Sequence, residues 1–79
     1  MKKQTEICTY DSSMVISSLY NYETQKLLVE FSTEAVYEYQ GVTIDDYKLF
    51  SESESTGKGF NENIRKYEGT KLERNAEIN

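Results

Sequence analysis

From Met14 to Tyr22 the apolar residues Val15, Ile16, Leu19 and Tyr20 are interleaved with Ser17 and Ser18, which predicts a first strand. Lys26 to Ser32 then alternates strictly. Leu27, Val29 and Phe31 fall on one face, and Leu28, Glu30 and Ser32 on the other. Ala35 to Gln40 repeats the pattern, with Ala35, Tyr37 and Tyr39 opposite Val36, Glu38 and Gln40. The links are short: Asn21-Tyr22-Glu23-Thr24-Gln25, whose polar side chains can bond to the local backbone, and Thr33-Glu34, which lacks the Gly or Asn of a primed turn. Strands joined this closely form a three-stranded antiparallel β-meander.

At Gly41 the period changes from two to that of a helix. Thr43 followed three residues later by Asp46 reads as a capping pair, and Asp45 and Asp46 suit the positive end of a helix dipole. Ile44, Tyr47 and Phe50 recur at helical spacing, predicting a helix over 44–55 that Ser51, Ser53 and Ser55 weaken and Gly57 ends. Phe60, Ile64 and Tyr67 lie on one face of a second short helix, closed by Gly69. The expected fold class is α+β: the meander, then two short helices packed on one of its faces. Residues 12–68 form this domain. Residues 1–11 are a flexible segment or an edge strand, and residues 69–79 a loose tail.

Seventy-nine residues allow one domain with a small core, and ten aromatic residues make up for a lean apolar fraction. No apolar run is long enough to span a membrane, and Gln4, Thr5, Glu6 and Asp11 occupy the place where a signal peptide needs apolar residues. The expected location is cytoplasmic. Cys8 is the sole cysteine and histidine is absent, so neither an internal disulfide nor a soft metal site is expected, and no cofactor is implied. The net charge of −5 is unevenly spread: residues 1–56 carry −6 and residues 57–74 carry +2. Such a chain is an acidic body with a mildly basic end, not a polycation.

The candidate binding residues are Tyr37, Tyr39, Lys58, Phe60, Asn61 and Arg65. Tyr37 and Tyr39 share a strand face on which bases could stack; the plainer alternative is that both rings are core. Lys58 opens the second helix, where free N–H groups and a cation favour an anion, Gly57 and Gly59 permit close backbone approach, and Arg65 offers a bidentate contact. Against this, Gly57-Lys58-Gly59 can be a plain inter-helix turn, Asn61 a cap, and Arg65 one half of a surface ion pair. Catalysis lacks its players: there is no histidine base, no nucleophile elbow, and Cys8 has no basic neighbour in sequence. The chain is therefore expected not to be an enzyme.

Three blocks carry a resemblance. Ser12-Ser13 with Tyr20-Asn21-Tyr22-Glu23-Thr24-Gln25-Lys26-Leu27-Leu28-Val29-Glu30-Phe31 is the first. Val36-Tyr37-Glu38-Tyr39-Gln40-Gly41-Val42 is the second, and Gly57-Lys58-Gly59-Phe60-Asn61 with Ile64-Arg65 and Tyr67 the third. In this order and spacing the chain resembles the KTSC domain family, named for the C-terminal domain of some lysyl-tRNA synthetases and also found as small stand-alone bacterial and phage proteins. The resemblance implies a compact β-rich domain with a helical C-terminal half. It implies no activity, and the synthetase fusion points to RNA. Thr43 stands where many members have Pro, a change a helix start tolerates.

Two functions follow as expectations: a module for RNA or single-stranded nucleic acid, or a protein-interaction module of the phage accessory or inhibitor kind acting through the acidic surface. The resemblance places the first ahead. No membrane association is expected, and the chain is taken as a monomer or a weak homodimer paired through a strand edge.

Overall fold

The computed structural model describes residues 4–72. Five strands and two helices follow one another as β1 (Thr5–Thr9), β2 (Val15–Asn21), β3 (Lys26–Phe31), β4 (Val36–Tyr39), α1 (Ile44–Ser51), α2 (Thr56–Asn63) and β5 (Gly69–Lys71). The strands lie in chain order in one antiparallel sheet. The three expected strands are its centre; β1 and β5 add an edge on either side. Gly69 to Lys71, expected in a loose tail, pair with β4 through Tyr39↔Gly69 and Tyr37↔Lys71. The remainder of that tail, residues 73–79, lies outside the described residues.

Local chemistry explains the connections. Asn21 Oδ1 accepts from the N–H groups of Glu23 and Thr24 at 2.8 and 3.1 Å, and Gln25 closes the turn at φ 60°. The second hairpin does without a primed turn: Glu34 takes φ 74°, and Phe31 N–H donates to Ala35 O. A turn followed by one left-handed residue is the usual three-residue solution, here adopted by Glu at some steric cost.

Thr43 caps α1 as its spacing with Asp46 predicts, Oγ1 accepting from Asp46 N–H at 3.1 Å. The helix stops at Ser51, short of the expected Ser55. Ser53 Oγ donates to Ser55 O, and Ser55 in turn caps α2, so the serine tract bonds locally instead of extending the helix. Gly57, expected as a terminator, therefore sits in the first turn of α2. That helix ends at Asn63, whose amide donates back to Gly59 O.

Both helices cover one face of the sheet. Alternation places Tyr20, Leu27 and Tyr39 side by side on that face, beside Ser18, Val29 and Tyr37. Tyr47 and Phe50 of α1, Phe60 of α2, Ile64 and Val42 close over them. Tyr20 stacks on Tyr47 with centroids 4.2 Å apart, and its hydroxyl donates to Val42 O at 2.6 Å. Buried Ser18 is satisfied by the Tyr10 hydroxyl at 2.7 Å. The opposite face, with Ile7, Leu19, Leu28 and Glu38 in one row, has no layer over it among the described residues.

Candidate functional site

The six positions singled out from the sequence divide into two groups. The aromatic ones are structural. Tyr39 is 6% and Phe60 5% exposed, and the two rings meet edge to face at 5.7 Å. Tyr37 is half-buried, stacked beside Tyr39 and edge-on to Phe31. Gly69 lies so close to the Tyr39 ring that a Cβ there would stand 2.4 Å from its nearest carbon. This corner of the sheet is packed against its own helix and the last strand.

Lys58, Asn61 and Arg65 are exposed, and no hydrogen bond or ion pair joins their side chains to another described residue. Asn61 is not a cap; Ser55 has that role, its Oγ accepting from Lys58 N–H at 3.4 Å. Gly59 serves helix packing: a Cβ on it would stand 2.7 Å from Ser53 Cβ and 3.2 Å from Phe50 O. The ion pair expected of Arg65 is made by its neighbour, Lys66 Nζ reaching Asp46 Oδ2 at 3.1 Å. Asp46 also accepts from Tyr67 Oη at 2.5 Å, while Thr43 N–H donates to the same hydroxyl. The Tyr67 hydrogen bond, with the Lys66 ammonium, holds the Asp46 carboxyl below its usual range, although partial burial opposes this.

Two clefts flank α1, and the sequence patterns single out neither. The first, of about 730 Å³, opens between β1 and α1 and is lined by Glu6, Cys8, Tyr22, Glu23, Ile44, Lys48 and Glu52 among others. At its floor Glu6 Oε1 accepts from Tyr22 Oη at 2.7 Å and Tyr47 Oη at 2.9 Å, and Cys8 Sγ lies 3.5 Å from the Tyr47 hydroxyl. The hydrogen bond to Glu6, reinforced by burial, pushes the Tyr22 hydroxyl up to about 12. Burial, then contact with Cys8 and Glu6, raises Tyr47 as well. Both hydroxyls donate to the one Glu6 oxygen. The second cleft, of about 680 Å³, runs between α1 and α2 past Asp45, Lys48, Leu49, Glu52, Ser53 and Glu62.

Across the two clefts Glu6, Glu23, Asp45, Glu52 and Glu62 face Lys48 as the sole cation among the lining residues. Ile44 and Leu49 stand exposed between them, at 40% and 58%. Among the described residues no group of three or more Cys, Asp or Glu is placed to hold a metal ion, and no helix is long and apolar enough to cross a membrane. An acidic surface with apolar steps can grip a cationic, partly apolar chain segment, and its excess of carboxylates repels a phosphate.

A five-stranded antiparallel meander with two helices on one face defines a small α+β domain class. Within that class the chain belongs to the KTSC domain family, whose model matches residues 11–67. It is also similar to the crystal structure of a KTSC domain protein from Yersinia pestis, with a TM-score of 0.80 and 24% identity over 87% of this chain and 99% of that one. At that identity the likeness speaks for the fold. No curated protein matches the chain.

Proposed function

We propose that this domain is a non-catalytic binding module whose α1 flank takes up a basic, partly apolar segment of another protein. The carrying observation is the pair of clefts on either side of α1, with five carboxylates, one lysine, and Ile44 and Leu49 exposed between them. Opposite charge steers such a segment in and sets its register, and the exposed apolar side chains supply burial on contact. Fluorescence anisotropy with labelled Arg- and Leu-containing peptides tests this. Binding that weakens with salt, and that falls by about tenfold or more on the charge reversals Glu52→Lys and Glu62→Lys, is expected.

A second reading, binding of RNA or single-stranded nucleic acid, is favoured by exposed Lys58 and Arg65 with no ion-pair partner among the described residues. The burial of Tyr39 and Phe60 weighs against it, because stacking needs an open ring face. The same titrations with single-stranded RNA decide between the two. RNA affinity lost in Lys58→Glu and Arg65→Glu, with no peptide binding, reverses the order; no binding of either ligand at low salt sinks both.

A further inference from the structure

The two edges of the sheet are unlike. β5 is three exposed residues long and ends on Lys71, a short charged edge of the kind that discourages further pairing. β1 has five residues, with no Lys, Pro or bulge; the irregularity of this sheet lies in β2, between Val15 and Ser17. Gln4 O accepts from Tyr22 N–H, and Tyr10 N–H donates to Ile16 O. In an antiparallel ladder hydrogen-bonded pairs alternate, so Gln4, Glu6, Cys8 and Tyr10 turn their backbone groups toward β2. Thr5, Ile7 and Thr9 turn theirs outward, where no strand of the described residues lies.

We propose that β1 is a self-pairing edge, at which two copies of this chain join antiparallel about Ile7 into one continuous ten-stranded sheet. The outward residues read Thr-Ile-Thr in both directions, so a two-fold axis at Ile7 sets Ile7 opposite Ile7 of the second copy and Thr5 opposite Thr9. Each is β-branched, the type that pairs best across strands. Ile7 is 74% exposed, and its cross-strand neighbours on the open face are Leu19 and then Leu28. Pairing makes one apolar row from Leu28 of one copy to Leu28 of the other.

Charge permits this seam. A molecule of net −5 repels its own copy, but the outward residues of β1 are uncharged. Glu6, the one charged residue of the strand, points to the helix side and accepts from Tyr22 and Tyr47. A joint of five residues per copy falls below the roughly 1,200 Å² typical of stable interfaces, so the dimer is weak and concentration-dependent.

Sedimentation velocity on the full chain from about 1 µM to 1 mM covers the affinities such a joint can have. The weight-average mass is expected to rise from the 9.2 kDa monomer toward twice that value. Ile7→Lys, and separately Thr9→Pro, which removes an outward N–H and spares the β2 ladder, should hold the chain monomeric while near-ultraviolet circular dichroism stays native. In the unmodified chain the amides of Thr5, Ile7 and Thr9 should gain protection from hydrogen exchange as concentration rises, a readout that needs no variant. A mass fixed at the monomer throughout, a dimer unchanged in both variants, or edge amides whose exchange ignores concentration would each overturn the proposal.

Discussion

Phe60 meets Phe31, Tyr39 and Phe50 at centroid distances of 5.2, 5.7 and 6.2 Å, each edge to face, and so ties α2 to α1 and to strands β3 and β4. Removing a buried aromatic ring costs about 3–5 kcal/mol. A domain of this size has roughly 4–12 kcal/mol in total, at 0.05–0.15 per residue. Phe60→Ala should therefore remove a large share of the stability and unfold at a much lower urea concentration than the parent, whereas Lys58→Ala and Arg65→Ala should stay within about 0.5 kcal/mol of the parent. The sequence places Phe60 beside Lys58 and Asn61 as one candidate group. Helical geometry separates them, because neighbours in a helix point about 100° apart and only Phe60 falls on the inward face. Tyr37 and Tyr39 are legible as sharing a face; which face the helices cover is not, since alternation relates residues to one another and not to solvent.

At the scale of elements, the start of α1 is the best-read feature and the short strand β5 the least. Thr43 and Asp46 announce their cap by spacing alone. What spacing does not reveal is that Asp46 also receives Tyr67 and Lys66, so a single carboxylate fastens the chain beyond α2 onto the first turn of α1. Tyr67→Phe should cost about 1.5–3 kcal/mol, as loss of a hydrogen bond to a charged group does, measured by chemical denaturation near neutral pH. The sign of the pH dependence follows from the lowered Asp46 pKa. Its contribution is complete above the unfolded value of about 3.9 and disappears as pH falls through the folded one. Asp46→Asn should flatten the acid limb of the stability curve; an acid limb unchanged in that variant would remove the clasp from the account. Strand β5 carries Gly69, Thr70 and Lys71 with no apolar alternation, and it exists because β4 offers an unpaired edge that these backbone groups satisfy.

Tyrosine dominates the whole molecule. Burial raises the hydroxyls of Tyr10, Tyr20, Tyr39 and Tyr47, and the Glu6 hydrogen bond raises Tyr22 to about 12. A folded pKa above the unfolded value of about 10 means stability that is intact below pH 10 and lost as pH climbs toward the folded values. The phenolate absorbance of these five and the loss of near-ultraviolet circular dichroism should thus appear together in one steep step above pH 10. Gradual ionisation with native dichroism would show that these hydroxyls are not held by the fold.

The local patterns of the chain determine the three central strands, the start of α1 and the class of fold, because side-chain periodicity and capping act over a few residues and need no distant partner. The KTSC blocks fall within this legible part, spanning the family match over residues 11–67. The tertiary structure alone decides which tyrosines are core, that Asp46 is clasped from twenty-one residues away, and that carboxylates from β1, the β2–β3 turn and both helices gather about α1. Those outcomes depend on contacts between residues far apart in the chain, whose positions are set by how the helices settle on the sheet and by nothing in their own neighbourhood.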